Sequence, residues 1–393
     1  MSEWKKVSLS EMGIVSRGKS KHRPRNDTRL YGGRYPFIQT GDIGAAGLYV
    51  TDYSQTYNEE GLAQSKLWEK NTLCITIAAN IADTALLAFP ACFPDSIMGF
   101  VPHKDVANVK YVKYCFDILK KDCQQISQGT AQDNLSWKKL STIKFPCPPL
   151  EVQNRIATIL SRYDSLIENY QKQIKLLEEA AQRLYKEWFV DLRFPGHENT
   201  NIIDGVPEGW EKKPISQLGE YLNGFAFKPS DWQKSGKPII KIKEMGNGVS
   251  NDTPRNNGER VPAKYLVKAG DLLFSWSATL MVIVWSGEEG WLNQHLFKVT
   301  PSKGIEREFL LQSISNTIEE FQNLTTGSTM KHIQRNKLDQ VFVNVPNDEI
   351  MKRYSSIAEK ERTEILHLSS QIRLLTEARD RLLPKLMSGE ITV

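Results

Sequence analysis

The chain has 393 residues, 40% hydrophobic and 25% charged, with a net charge of +5: the composition of a soluble globular protein long enough for two or three cored domains. The absence of an apolar run of about 18 residues excludes a membrane-spanning helix, and Met1-Ser2-Glu3-Trp4-Lys5 lacks the apolar core of a secretory signal, so a cytoplasmic location is expected. Five cysteines (Cys74, Cys92, Cys115, Cys123, Cys147) form no Cys-x-x-Cys pair and read as reduced thiols rather than disulfides or zinc ligands.

From the N-terminus, Gly13-Ile-Val-Ser-Arg-Gly18-Lys19-Ser20 fits the spacing of a phosphate loop. The polar Leu9–Met12 before it and Lys21-His-Arg-Pro-Arg25 after it supply neither the buried strand nor the helix that such a loop needs. A nucleotide-hydrolysing function at 13–20 is therefore the weakest alternative. The glycines read as part of a turn. Residues 17–34 carry Arg17, Lys19, Lys21, Arg23, Arg25, Arg29 and Arg34 against Asp27 alone, and a local basic patch points to a polyanion. Short apolar strands follow (Leu73 to Ala79), then a helical segment (Tyr111 to Gln125), a glycine loop and a strand into proline. Residues 151–189 place Ile156, Leu160, Tyr163, Ile167, Tyr170, Ile174, Leu177, Ala181, Leu184 and Trp188 at alternating steps of four and three. This is the seam of a long helix of about 57 Å that buries one stripe against another helix.

The pattern then repeats. Gln173–Ala180 returns as Gln371–Ala378, Trp4–Gly13 as Trp210–Gly219, and Pro36–Ile43 as Pro238–Met245. The second seam includes Ile365, Leu368, Ile372, Leu375 and Leu382, with Glu361 and Arg379 as interruptions. Pro384 is expected to kink or end the helix, and Gly389 to stop it. The expected fold is α+β: two mixed α/β domains separated by two long antiparallel coiled-coil helices, a tandem repeat with pseudo-twofold symmetry. The boundaries are 1–150, first domain; 151–192, first helix; 193–209, linker; 210–347, second domain; 348–393, second helix.

A basic, end-separated pair of domains fits two DNA half-sites. In the first domain the candidates are Arg17, Lys19, Lys21, His22, Arg23, Arg25 and Asn26, then Thr130, Gln132, Asn134 and Lys138 in the glycine loop. The second domain lacks the basic loop, and its candidates are Lys228, Lys241, Lys243, Arg255 and Asn256, with Ser328, Thr329, Lys331, His332 and Arg335 in the matching glycine loop. Such side chains hold phosphates or reach base edges. No catalytic or metal-binding pattern emerges: Cys147-Pro-Pro-Leu150 lacks the polar and aromatic ends of an amino-methyltransferase loop, and the six histidines have no ligand spacing.

Tyr31-Gly-Gly-Arg-Tyr-Pro-Phe-Ile-Gln-Thr-Gly-Asp42, Pro148-Pro-Leu-Glu-Val-Gln-Asn-Arg-Ile-Ala157, Leu184-Tyr-Lys-Glu-Trp-Phe-Val-Asp191 and Leu382-Leu-Pro-Lys-Leu-Met-Ser-Gly-Glu-Ile391 complete the picture. With the domain–helix–domain–helix order, the chain resembles the specificity subunit of type I restriction–modification systems over nearly its full length. The resemblance implies two target recognition domains, each reading half of a bipartite, asymmetric duplex DNA site, with the helices as a ruler. It implies a non-catalytic subunit with no cofactor of its own. Two modification (methyltransferase) subunits with S-adenosylmethionine, and restriction or motor subunits with ATP and Mg, would be its partners. The alternative is a stand-alone, orphan DNA-binding coiled-coil adaptor.

Overall fold

The computed structural model describes residues 4–127, 135–324 and 333–393. Its contacts divide the chain into two compact units, residues 1–169 with 374–393, and residues 170–373.

In unit one the chain forms β1 (Gly13–Arg17), β2 (Tyr31–Phe37), β3 (Tyr49–Val50), β4 (Gln55–Tyr57), β5 (Leu73–Thr76), β6 (Thr84–Leu87) and β7 (Ile97–Pro102), then helix α1 (Val109–Ser127). One sheet runs β1-β7-β5-β6-β3, with β3 parallel to β6 and the other pairs antiparallel; β2 and β4 form a separate antiparallel ladder. Every residue of β5 and β6 is buried, which is why their sequences show continuous apolar character rather than alternation. α1 covers this sheet with Tyr111, Val112, Tyr114, Cys115, Phe116 and Cys123.

In unit two the strands include β8 (Gly219–Asn223), β9 (Lys237–Ile240), β10 (Leu266–Val267), β11 (Leu272–Ser275), β12 (Met281–Val284), β13 (Gly290–Leu292) and β14 (Leu296–Pro301). The main sheet runs β8-β14-β11-β12, repeating β1-β7-β5-β6 strand for strand. The registers agree as well. Gly13 faces Pro102 and Leu73 faces Phe100; Gly219 faces Pro301 and Leu272 faces Val299. The repeat seen in the sequence is thus a repeat of topology.

The shared glycines do not form a turn, and this corrects the sequence reading. Gly13 and Gly219 open edge strands, and Gly18 and Gly224 lie just past their ends. A β-carbon on Gly18 would stand 2.2 Å from the Pro94 carbonyl oxygen, and one on Gly224 2.1 Å from that of Asn293. Close backbone approach is what excludes a side chain here. Residues 9–12 are helical and 13–17 an antiparallel edge strand, so 13–20 lacks the strand–loop–helix geometry that cradles phosphate.

Two long helices complete the chain, α2 (Leu150–Tyr185) and, after the ten-residue helix α3 (Arg307–Asn316), α4 (Asp348–Met387). In unit one, Ile156, Ala157 and Leu160 of α2 share a core with Leu386 and Met387 of α4. In unit two, Tyr185 at the end of α2 meets Tyr354 near the start of α4, with ring centroids 6.5 Å apart. The start of each helix therefore packs with the end of the other, an antiparallel pairing. Of the expected seam, Ile156, Leu160, Ile167, Ile365 and Leu368 are buried, while Tyr163, Tyr170, Ile174, Leu177, Leu184, Ile372, Leu375 and Leu382 are half-buried. Pro384 does not end α4, which continues to Met387; Gly389, at φ 73°, follows its end. Arg379 is no defect either. Its Nη1 donates to Asp164 Oδ1 of α2 at 2.7 Å, and the Tyr114 hydroxyl of α1 donates to the other oxygen of that carboxylate. Glu361, by contrast, keeps a buried carboxylate oxygen without a partner among the described residues.

Candidate nucleic-acid interface

The basic loop of unit one is held by neutral groups at its base. The Gly18 and Lys19 amides donate to Ile97 O and Phe93 O at 2.8 and 3.0 Å. Gln64 Oε1 accepts the amides of Lys21 and His22 at 2.6 and 3.0 Å, and Ser65 Oγ donates to Lys19 O at 2.7 Å. At the far side Asp27 caps the turn 28–30. Hydrogen bonds from the Arg29 side chain and backbone and from His22 hold its carboxyl well below the usual range. Asp95 receives Arg25 at 2.5 Å and Arg23 at 3.6 Å, and Glu59 receives Arg34 at 3.0 Å. These pairs are exposed and individually weak, so a phosphate can replace the carboxylate in any of them. Arg17, Lys19 and Lys21 are exposed and have no ion pair among the described residues. Asn26 is exposed, and His22 is half-buried on Asp27.

Beside this loop lies a concavity of about 340 Å³ whose lining includes Arg25, Asn26, Gln39, Thr40, Gln55 and Ser96. Gln39, Thr40 and Gln55 escaped the sequence reading because they are neutral residues beside strands. The signal available was the repeated Pro36–Ile43 segment, read only as a repeat. Lys138 is exposed on the short helix Trp137–Leu140. Thr130, Gln132 and Asn134 lie outside the described residues, as do Ser328, Thr329, Lys331 and His332. The chain that follows each of these segments is tied to the same place in its repeat. The Leu135 amide donates to Ile77 O just past β5, and the Ile333 amide to Trp276 O just past β11, both at 2.9 Å.

In unit two the candidates divide. Lys228, Lys243 and Arg335 are exposed. Lys241 is half-buried, its Nζ 4.5 Å from the centre of the Trp232 ring. Arg255 is engaged with Glu288 at 3.1 Å and Gly236 O at 3.0 Å. Asn256 is buried; its amide donates to Asp231 O at 2.8 Å and accepts the Gly258 amide at 2.8 Å, so it braces its own turn. Sequence reasoning missed Trp232, half exposed beneath Lys241, and His295, its ring tilted against Trp276 with centroids 5.5 Å apart and its buried Nδ1 without a partner among the described residues. Among the described residues no three His, Cys, Asp or Glu side chains gather as a metal site, and no helix is long and apolar enough to cross a membrane.

The profile of the family described as "Type I restriction modification DNA specificity domain" matches residues 1–179 and again 207–375. The chain belongs to the type I restriction–modification specificity family. Similar proteins include the type I restriction enzyme MjaIX specificity subunit of Methanocaldococcus jannaschii, 24% identical over all of this chain and 94% of the relative. The HindI specificity subunit of Haemophilus influenzae is 24% identical over the full length of both. The crystal structure of a type I restriction–modification S subunit from M. genitalium shares the fold at TM-score 0.60 and 14% identity, covering 98% of this chain and 96% of that one. Type I specificity subunits are non-catalytic, and the two profile matches fall on the two copies of the repeat.

Proposed function

We propose that the chain reads a bipartite, asymmetric duplex DNA site and directs partner methyltransferase and nuclease subunits to it. The carrying observation is that one strand order occurs twice with different loop chemistry around it: a basic loop and a polar concavity in the first copy, a lysine seated on tryptophan in the second. One scaffold with two sets of loops is what two different half-sites require. Residues 1–150 and 210–347 serve as the target recognition domains, and the helices after each set the unread spacer between half-sites. Two modification subunits carrying S-adenosylmethionine dock on the helices, and motor-nuclease subunits using ATP and Mg join for cleavage, in the cytoplasm. An open groove of about 490 Å³ on the unit-two helices supports such docking; Leu176 at 64% and Ile357 at 42% exposure line it with Leu184 and Ala180. Sequencing of methylated bases in the host with and without the gene tests this reading. A two-part motif that disappears with the gene is expected, and unchanged methylation overturns it. Inserting one heptad into both long helices lengthens the spacer and leaves both half-sites as they were; altered half-sites at a constant spacer refute the ruler.

A further inference from the structure

We infer that Gln39 and Lys241 occupy one and the same base-reading position in the two copies, Gln39 reading an adenine in one half-site and Lys241 a guanine in the other. The inference rests on the DNA-reading function proposed above and deepens it to single residues. The equivalence is structural. In the repeated segments Pro36–Ile43 and Pro238–Met245 the two residues align, and each opens a six-residue helix, Thr40–Ala45 or Ile242–Asn247. Each donates its own amide to the carboxylate three residues on: Gln39 to Asp42 at 2.7 Å, Lys241 to Glu244 at 3.1 Å. The backbone is thus fixed alike in both copies, and the side chain is the variable.

The surroundings select the chemistry. Gln39 lies in the concavity beside the basic loop, whose lining holds amides, hydroxyls and Arg25 but no carboxylate. Gln39 Nε2 donates to Gln55 Oε1 at 2.7 Å, which pins the amide and leaves it one carbonyl acceptor and one further N–H. That pair matches the N6 donor and N7 acceptor of adenine in the major groove. Arg25 and the loop lysines beside it supply the phosphate contacts that hold the register. Lys241 has donors only. Its ammonium is steadied over the Trp232 ring and has no ion pair among the described residues, so its donors are open to the O6 and N7 acceptors of guanine.

The test uses the full chain in complex with its modification subunits on a duplex library randomised across the site, with the modified molecules sequenced. Gln39→Ala removes the preference at one A·T pair of one half-site by about tenfold to a hundredfold and leaves the other half-site intact, on the energy of one such contact. Lys241→Ala does the same at one G·C pair of the other half-site. Gln39→Lys moves the first position toward G·C. Because both residues fix the local backbone through main-chain amides, the variants keep the wild-type melting temperature. Motifs unchanged in both alanine variants, or both variants altering the same half-site, overturn the assignment while leaving the proposed function standing. A wild-type complex with no sequence preference overturns both.

Discussion

The two units anchor their helices with charge in opposite sense. In unit one the acid sits on α2: Asp164 is buried, receives Arg379 of α4 and accepts the Tyr114 hydroxyl. The repeat offset of 198 residues puts Arg362 of α4 where Asp164 stands, and Ala181 where Arg379 stands. Arg362 takes its acid from elsewhere, donating to Glu308 of α3 at 3.0 Å, while Arg307 reaches Glu308 at 3.2 Å and Glu359 at 2.9 Å. Duplication kept the place of the charge and reversed its sign, and each unit then found a counter-charge from a different element. A charge in an apolar seam requires a partner, and the duplicated geometry did not dictate which residue supplies it.

Removing the basic partner separates the two solutions most strongly. Glu308 and Arg362 expose 1% and 6% of their side chains, so Arg362→Ala strands a carboxylate in the core with only Arg307 to answer it. A loss of about 3–5 kcal/mol is expected. Arg379 is 28% exposed and Asp164 keeps its bond from Tyr114, so Arg379→Ala costs about 1–3 kcal/mol. Denaturant unfolding of the two variants checks the order, and equal losses would erase the distinction drawn between the units.

Where the units agree, they should fail alike. Gly18→Ala and Gly224→Ala each press a methyl onto a main-chain carbonyl at nearly the same distance, and both should cost about 1–3 kcal/mol. Gly41→Ala meets nothing within 4 Å and serves as the control in the same thermal melts.

These cases also show what could be read from residues alone. The long helices were legible because a seam of apolar side chains at steps of three and four is a local pattern, and the repeat because whole segments recur. Arg379 looked like a flaw because its partner Asp164 lies 215 residues away. Gly13 and Gly18 were misread because a glycine marks either a left-handed turn or a close approach, and only the packing of Pro94 over Gly18 tells them apart. Charge drew attention to Arg23 and Arg25, yet Asn256 proved to be an internal brace, while Gln39 and Gln55 passed unnoticed because neutral amides leave no mark on composition.

On DNA the units should differ again, at smaller cost per residue. Lys19→Ala with Lys21→Ala should lower the slope of log affinity against log salt by roughly 0.9 for each phosphate that is no longer neutralised. Lys228→Ala with Lys243→Ala tests the second copy, which lacks a comparable basic loop, and should lower it less. Binding of the assembled complex to one duplex across a salt series measures both, and a larger change from the second pair would move the main phosphate-binding surface to unit two.

The smallest effect is one of pH, and its sign differs from ordinary acid denaturation. Burial pushes the Glu308 carboxyl above its usual 4.5, an effect that Arg362 and Arg307 only partly offset. The folded chain therefore holds this proton more tightly than the unfolded one. The resulting stabilisation is complete below 4.5 and is lost as pH rises through the elevated folded value. Glu308→Gln removes the titration, so the stability of wild type relative to this variant should fall as pH is raised from 4.5, by at most about 1.4 kcal/mol per pH unit. Unit one holds a second such acid: burial raises the Asp117 carboxyl above its usual 3.8, an effect that Lys113 partly offsets. A flat difference for Glu308→Gln would show that Glu308 is not a group whose proton the fold of unit two holds.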